Sequence, residues 1–271
     1  MSTDEKRGSK FPLRLDEVKP ATKLARGVLR PQRLVEHAHA DAARHAAPAG
    51  FGMDSADVRR RMIDRLRAAG LRHEAVLNAM AGVPRHLFVD PALVAQAYED
   101  TSLPIGHGQT ISKPSVVGRM IELLLGGATA RKSSGLGRVL EIGTGCGYQA
   151  AVLADLARHV VSVERLRPLH DKARTLLAPL RPAHVRLVYG DGMRGHPPNA
   201  PYDSIIAAAG GDELPQAWLE QLAPGGRLVS PVRAAGVARQ VLMVVDRNDR
   251  GFERSVFEAV HFVPLKSGLV E

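Results

Sequence analysis

The stretch Arg138-Val-Leu-Glu-Ile-Gly-Thr-Gly-Cys-Gly-Tyr-Gln-Ala-Ala-Val-Leu-Ala154 constrains this chain more than any other. A short apolar run, Val139 to Ile142, is broken only by Glu141. Glycines follow on alternate positions, Gly143, Gly145 and Gly147, and then Val152, Leu153 and Leu156 at helical spacing. Strand, glycine turn and helix, in that order, open a nucleotide-binding α/β domain. A residue without Cβ takes left-handed dihedrals freely and lets its backbone lie against a ligand. The Gly-x-Gly-x-Gly spacing departs from the Gly-x-Gly-x-x-Gly of dinucleotide sites, where a helix N-terminus seats a pyrophosphate. It suits S-adenosylmethionine (AdoMet), which has no pyrophosphate.

The next two apolar runs end in acids. Val160-Val-Ser-Val-Glu164 finishes in a carboxylate placed to accept hydrogen bonds from two ribose hydroxyls. Val185-Arg-Leu-Val-Tyr189 leads to Gly190-Asp191-Gly192, where the acid is positioned to meet an adenine edge. One glycine loop is a weak signal, and three successive strand ends of this kind are a stronger one. The bland alternative is a βαβ domain with ordinary turn glycines and solvated acids.

At 271 residues the chain is long enough for one large domain or a domain with an appendage. It contains no apolar run of membrane-spanning length, and its polar N-terminus lacks the apolar core of a signal peptide, so a cytoplasmic protein without a membrane partner is expected. Cys146 is the only cysteine, which excludes an internal disulfide. Inside the glycine loop it reads first as a small residue and second as a redox switch. The formal charge of +9 raises the question of a nucleic-acid partner. Dispersed basic residues and only 4% aromatics argue against one.

Residues 1 to 53, rich in Ala, Arg, His and Pro, read as a flexible extension, and His37, His39 and His45 lack the acidic or cysteine partners of a metal site. Asp54-Ser55 is a plausible cap for a helix with Val58, Met62, Leu66 and Ala69 on one stripe, ended by Gly70. Helices are also expected over Glu74 to Ala81, Pro91 to Tyr98 and Ser115 to Leu125. Between the last two lies a loop, Leu103-Pro-Ile-Gly-His-Gly-Gln-Thr-Ile-Ser-Lys-Pro114, too rich in glycine and polar side chains for a plain connector. Beyond the third strand come a buried strand Tyr202 to Ala209, a short helix Pro215 to Leu222 with the one tryptophan, Trp218, and a strand Arg227 to Pro231. Two further strands, Gln240 to Val245 and Phe252 to Phe262, are joined by a turn at Arg247 to Gly251. The expected fold is α/β, a doubly wound, mostly parallel seven-stranded sheet, with an antiparallel strand at or near its edge. A helical cap over 54–137 precedes a core over 138–271.

Several blocks resemble the protein-L-isoaspartate O-methyltransferase family: Pro104-Ile-Gly-His-Gly-Gln-Thr-Ile-Ser112, Glu141 to Gln149, Val163-Glu164-Arg165, Gly190-Asp-Gly192, Pro224-Gly-Gly226 and Phe262-Val-Pro-Leu265. The similarity runs from about Arg59 to Gly268. The first block is particular to that family, and the glycine loop is shared by many methyltransferases. The resemblance implies a class I, AdoMet-dependent enzyme that methylates the free α-carboxylate of L-isoaspartyl residues in damaged proteins and peptides, initiating their repair. It implies that Ser112 is catalytic, with Gln109, Thr110, Ile111 and Val263 on the acceptor side. It also implies that Glu141, Gly143, Thr144, Gly145, Gly147, Glu164, Asp191 and Gly192 hold AdoMet. A monomer is expected. The sequence departs from that family's pattern at Gly210-Gly211, where Ala-Pro is frequent, at Ala207, where some members carry Thr, and at Cys146, a common Ser. A looser acceptor pocket is expected at the first two.

The chemistry agrees with the residue inventory. A carboxylate is already ionised at neutral pH, so its attack on a sulfonium methyl needs no general base and no metal. Ser112 also precedes an apolar-periodic helix, and an N-cap with no part in the chemistry is its competing reading. Other readings remain for the whole chain. One is an AdoMet methyltransferase with a small-molecule or nucleic-acid acceptor, although Ala207-Ala-Ala-Gly-Gly stands where a base-methylating enzyme would carry an Asn/Asp-Pro-Pro-Tyr type motif. Another is an interaction protein that keeps the fold without turnover and binds a polyanion. A nicotinamide oxidoreductase is disfavoured by the glycine spacing.

Overall fold

The computed structural model describes residues 56–180, 182–233 and 239–271. The extension read over residues 1 to 53, its three histidines and the Asp54-Ser55 cap lie outside the described residues.

Helices α1 (Ala56–Ala68) and α2 (Glu74–Gly82) are followed by two 3-10 turns, Arg85–Phe88 and Pro91–Gln96. A hairpin of β1 (Leu103–Gly106) and β2 (Gln109–Ile111) leads to α3 (Pro114–Leu125) and α4 (Ala128–Ser133). The core then runs β3 (Arg138–Ile142), α5 (Tyr148–Ala154), β4 (His159–Glu164), α6 (Arg167–Leu177) and β5 (Val185–Tyr189). It continues through β6 (Tyr202–Ala207), α7 (Gln216–Gln221), β7 (Leu222–Arg233), β8 (Gln240–Asn248) and β9 (Gly251–Val260). The sheet order is β5-β4-β3-β6-β7-β8-β9. Neighbours from β5 to β7 are parallel, and β8 is antiparallel to both β7 and β9. This is the expected doubly wound sheet, with its antiparallel strand next to the edge.

Side-chain alternation sorts the strands into two cores. Val139, Ile206, Val229 and Val244 join the cap helices on one face, where Met80, Met120, Ile121 and Leu124 are fully buried. Leu140, Ile205, Leu228 and Val245 pack on the other face around Trp218 and Leu222. Both faces are covered, which is why these strands read as near-continuous apolar runs. On the cap side, Arg227 donates to both oxygens of Asp246 across the β7–β8 pair (2.7 and 2.6 Å) and to the Leu123 carbonyl at the end of α3 (2.9 Å). One guanidinium therefore ties the antiparallel strand to a cap helix.

Several expectations are corrected. Pro91 to Tyr98 forms a 3-10 turn ending at Gln96, because a six-residue segment with no buried residue has no core face to sustain an α-helix. Ala69 is exposed, and Ile63 completes the buried set of α1 with Met62 and Leu66. The strand expected from Arg227 already starts at Leu222 and takes in Pro224-Gly-Gly226 through a register shift against β6. The loop from Leu103 is largely a hairpin, pairing Leu103 with Ile111. Its two-residue turn puts both His107 and Gly108 at positive φ, the requirement of the twist-matched turn.

Candidate active site

The strand order reverses direction about β3, with β4 on one side and β6 on the other. In open α/β sheets the crevice beyond the strand C-termini at such a point takes the ligand. Here the glycine loop leaves β3 at that crevice. Gly143, Gly145 and Gly147 have φ of +90°, +56° and +92°, which an L side chain rarely adopts. A Cβ at Gly145 would also lie 3.2 Å from Cδ1 of Ile105 in the hairpin above. The loop and the hairpin thus enclose a cavity of about 390 Å³, a size suited to a small ligand together with part of a larger one.

The walls combine the two groups of residues that the sequence singled out. Gly143, Thr144, Gly145, Glu164 and Gly192 line one part, and Gln109, Thr110, Ile111, Ser112 and Val263 line another. Glu164, 5% exposed, accepts the Gly145 N–H on one oxygen and the Leu166 N–H on the other, both at 2.9 Å. Each oxygen keeps lone-pair capacity for a hydroxyl on the cavity side.

Three of the expected cofactor residues do not line the cavity. Gly147 serves as the N-cap of α5. Asp191 accepts from the Met193 N–H (3.0 Å) and the Gly268 N–H (2.8 Å), so its carboxylate joins a 3-10 turn to the C-terminal segment. Glu141 is fully buried under the loop, where Gln149 Nε2 donates to it at 3.0 Å and Ser162 Oγ at 2.5 Å. Thr144 Oγ1 lies 2.6 Å from Ser162 Oγ, which links Glu141 to the cavity wall through two hydroxyls. Burial pushes the Glu141 carboxyl up to about 8, against the pull of the Ser162 and Gln149 hydrogen bonds. Ser162 was not anticipated. Its signal was a hydroxyl inside an otherwise apolar strand, Val160-Val-Ser-Val, where a buried polar group must find a partner.

The N-cap position of α3 is Lys113, with no side-chain cap hydrogen bond. The first turn is held instead by Asp100, whose oxygens accept the Ser115 N–H (2.8 Å) and the Ser115 hydroxyl (2.7 Å). Ser112 is therefore not the cap, and it lines the cavity.

The wall at Val263 to Lys266 is fixed to Gly210: the Gly210 N–H donates to Val263 O and the Leu265 N–H to Gly210 O, both at 2.9 Å. The expected loosening at Gly210 does not occur. The place of a Cβ is taken by the Gln240 side chain, whose Nε2 would stand 2.5 Å from it and whose Oε1 accepts the Phe262 N–H at 2.7 Å. Cys146 lines the cavity, and burial pushes its thiol up, away from the reactive thiolate. Among the described residues no group of three or more His, Cys, Asp or Glu side chains is placed to hold a metal ion, and no helix is long and apolar enough to cross a membrane.

A family model described as protein-L-isoaspartate(D-aspartate) O-methyltransferase matches residues 57–270. The chain is 61% identical over 270 residues to a protein-L-isoaspartate O-methyltransferase of Methylibium petroleiphilum, covering 99% of each. It is 58% identical over 275 residues to one of Leptothrix cholodnii, covering 97% of this chain and 95% of the relative. A solved protein-L-isoaspartate O-methyltransferase shares the fold with a TM-score of 0.68 at 29% identity, over 78% of this chain and 67% of its own. A Plasmodium falciparum structure in complex with S-adenosyl-L-homocysteine gives a TM-score of 0.64 at 22% identity, over 77% and 98%, a likeness of fold alone. Since the family model and both sequence relatives extend over most or all of its length, the chain belongs to the protein-L-isoaspartate(D-aspartate) O-methyltransferase family and is an AdoMet-dependent methyltransferase acting on isoaspartyl residues.

Proposed function

We propose that methyl transfer takes place in the cavity between the glycine loop and the β1–β2 hairpin, with Glu164 and residues 143–147 on AdoMet and Ser112 on the acceptor carboxylate. The observation that carries this reading is the meeting of Ser112 and Glu164 in the wall of one cavity. The donor set suits the cofactor: a loop open to close backbone approach, and a carboxylate at the strand end with acceptor capacity to spare. When bound, AdoMet supplies an electrophilic methyl group that passes to a carboxylate oxygen while the carbon–sulfur electron pair stays on sulfur, with no proton moved.

The protein's task is orientation. Holding reactants in line contributes on the order of 7 to 11 kcal/mol to such a reaction. The Ser112 hydroxyl donates a hydrogen bond to the acceptor carboxylate and turns its other oxygen toward the methyl. Gln109, Thr110, Ile111 and Val263 shape the space for the isoaspartyl segment. Glu141 acts at one remove, keeping Thr144 and the loop in place through Ser162. Asp191 likewise fixes the turn that presents Gly192.

The catalytic unit spans residues 54–271, and the enzyme works as a cytoplasmic monomer. Residues 1 to 53 are dispensable for turnover on short peptides. Methyl transfer to an isoaspartyl peptide, compared with its aspartyl twin, tests the central assignment. Equal rates on the two peptides would discard the acceptor pocket described above.

A further inference from the structure

Arg85 is the largest charged side chain in the described interior, and the mechanism above does not use it. It stands in the 3-10 turn Arg85–Phe88 and is completely buried. Its Nε donates to the Ala97 carbonyl at 2.8 Å and its Nη2 to the Ser112 carbonyl at 2.7 Å. The guanidinium carbon sits 4.7 Å from the ring centre of Tyr148, the first residue of α5 and part of the cavity wall. Nη1 and the Tyr148 hydroxyl are both buried without hydrogen-bond partners. Among the described residues no carboxylate forms an ion pair with Arg85.

A buried cation with no carboxylate in contact is expensive, and burial lowers its pKa against the opposing pull of Tyr148, Cys146 and the more distant Asp100. Structural arginines in cores are ordinarily offset by an acid. Here the charge is offset by two backbone carbonyls and an aromatic face, and each belongs to a different segment. One carbonyl, that of Ala97, stands at the end of the turn before the hairpin. The other is that of Ser112 itself. The ring begins the helix behind the glycine loop. Only a planar fork spans carbonyls at such separate places while stacking on a ring, since a lysine ammonium is a single point on a flexible stem.

We infer that Arg85 is a positioning residue for methyl transfer, fixing the backbone of Ser112 against Tyr148 so that the serine hydroxyl and the cofactor loop keep a constant separation. This rests on Ser112 orienting the acceptor, as proposed above. Arg85 does not line the cavity, so its influence passes through Ser112. Among the described residues the Ser112 carbonyl takes the Arg85 hydrogen bond and no side chain engages the Ser112 hydroxyl, which leaves it available to the acceptor.

The test is a double-mutant cycle on the full-length enzyme with R85K, S112A and the combined variant. Turnover number, peptide KM, AdoMet affinity and melting temperature are measured for each. R85K keeps the charge and loses the fork. It should lower kcat by on the order of tenfold or more, because a displacement of about 1 Å costs up to a hundredfold. AdoMet affinity should stay within about twofold, as expected for a residue that does not touch the cofactor. In the S112A background R85K should then have no further effect on kcat. Losses that multiply in the combined variant would mean that Arg85 acts on the fold as a whole, and the inference would be overturned. An R85K enzyme with wild-type kcat would overturn it as well. An S112A enzyme with wild-type kcat would instead remove the Ser112 assignment, and this inference with it, whatever R85K does.

Discussion

Lys172 on α6 donates from its ammonium to the carbonyl of Ile105 at 3.0 Å, so the helix that follows the Glu164 strand is tied to the acceptor hairpin. Cδ1 of the same Ile105 lies against Gly145. The acceptor hairpin and the cofactor loop are thereby registered on each other at a single residue. Lys172→Met keeps the aliphatic stem and removes a charge-assisted bond worth about 1.5 to 3 kcal/mol when shielded, and less at this half-buried site. Amide exchange at residues 103–111 should accelerate while the central strands stay protected. Unchanged exchange in the hairpin would show that Lys172 does not hold it.

Glu164 has two tasks, accepting two backbone N–H groups and, in the proposed site, two ribose hydroxyls. Glu164→Ala should weaken AdoMet binding at least roughly tenfold, corresponding to about 1.4 kcal/mol. Glu164→Gln should do little better, because its NH₂ must face either the Gly145 or the Leu166 N–H. Calorimetric titration with AdoMet checks both. A Gln variant that binds like wild type would show that the carboxylate charge is not used.

Ser112 and Asp100 separate chemistry from capping. Ser112→Ala should reduce the turnover number by on the order of a hundredfold with melting temperature and AdoMet affinity nearly unchanged. Asp100→Ala removes the side chain that satisfies the first turn of α3 and should cost about 1 kcal/mol. That is a fall of about 2 to 4 °C in a chain of this size. Should the Ser112 variant melt lower and turn over normally, the catalytic assignment is lost.

Glu141 gives the fold a pH dependence of definite sign. Its folded pKa is raised to about 8 from an ordinary 4.5, so between those values the folded state holds a proton that the unfolded state has released. Its contribution to stability is fully present below about pH 4.5 and is lost as pH rises through 8. Glu141→Gln, which cannot ionise, should flatten the decline of melting temperature measured from pH 5 to 8.5. A slope identical in the two proteins would exclude Glu141 as its source.

What the sequence determined by itself was everything that depends on neighbours along the chain. The β3–loop–α5 unit follows from an apolar run, three glycines that relieve a steric ban, and a helical period in consecutive residues. Glu164 follows from its place at the end of β4. The family blocks singled out Ser112 in the same way, as a local string. Tertiary structure decided what depends on residues far apart. Whether Ser112 is a cap or a cavity residue turned on Asp100 reaching across to Ser115. Whether Gly210 leaves a gap turned on Gln240, thirty residues away, filling it and holding Phe262. Asp191 looked like Glu164, an acid at a strand end, yet the C-terminal segment took its carboxylate and left that of Glu164 on the cavity wall. Arg85 and Lys172 carry no sequence signal at all, because their partners are backbone carbonyls, and every residue offers one. Which carbonyl a buried cation meets is a property of the folded chain alone.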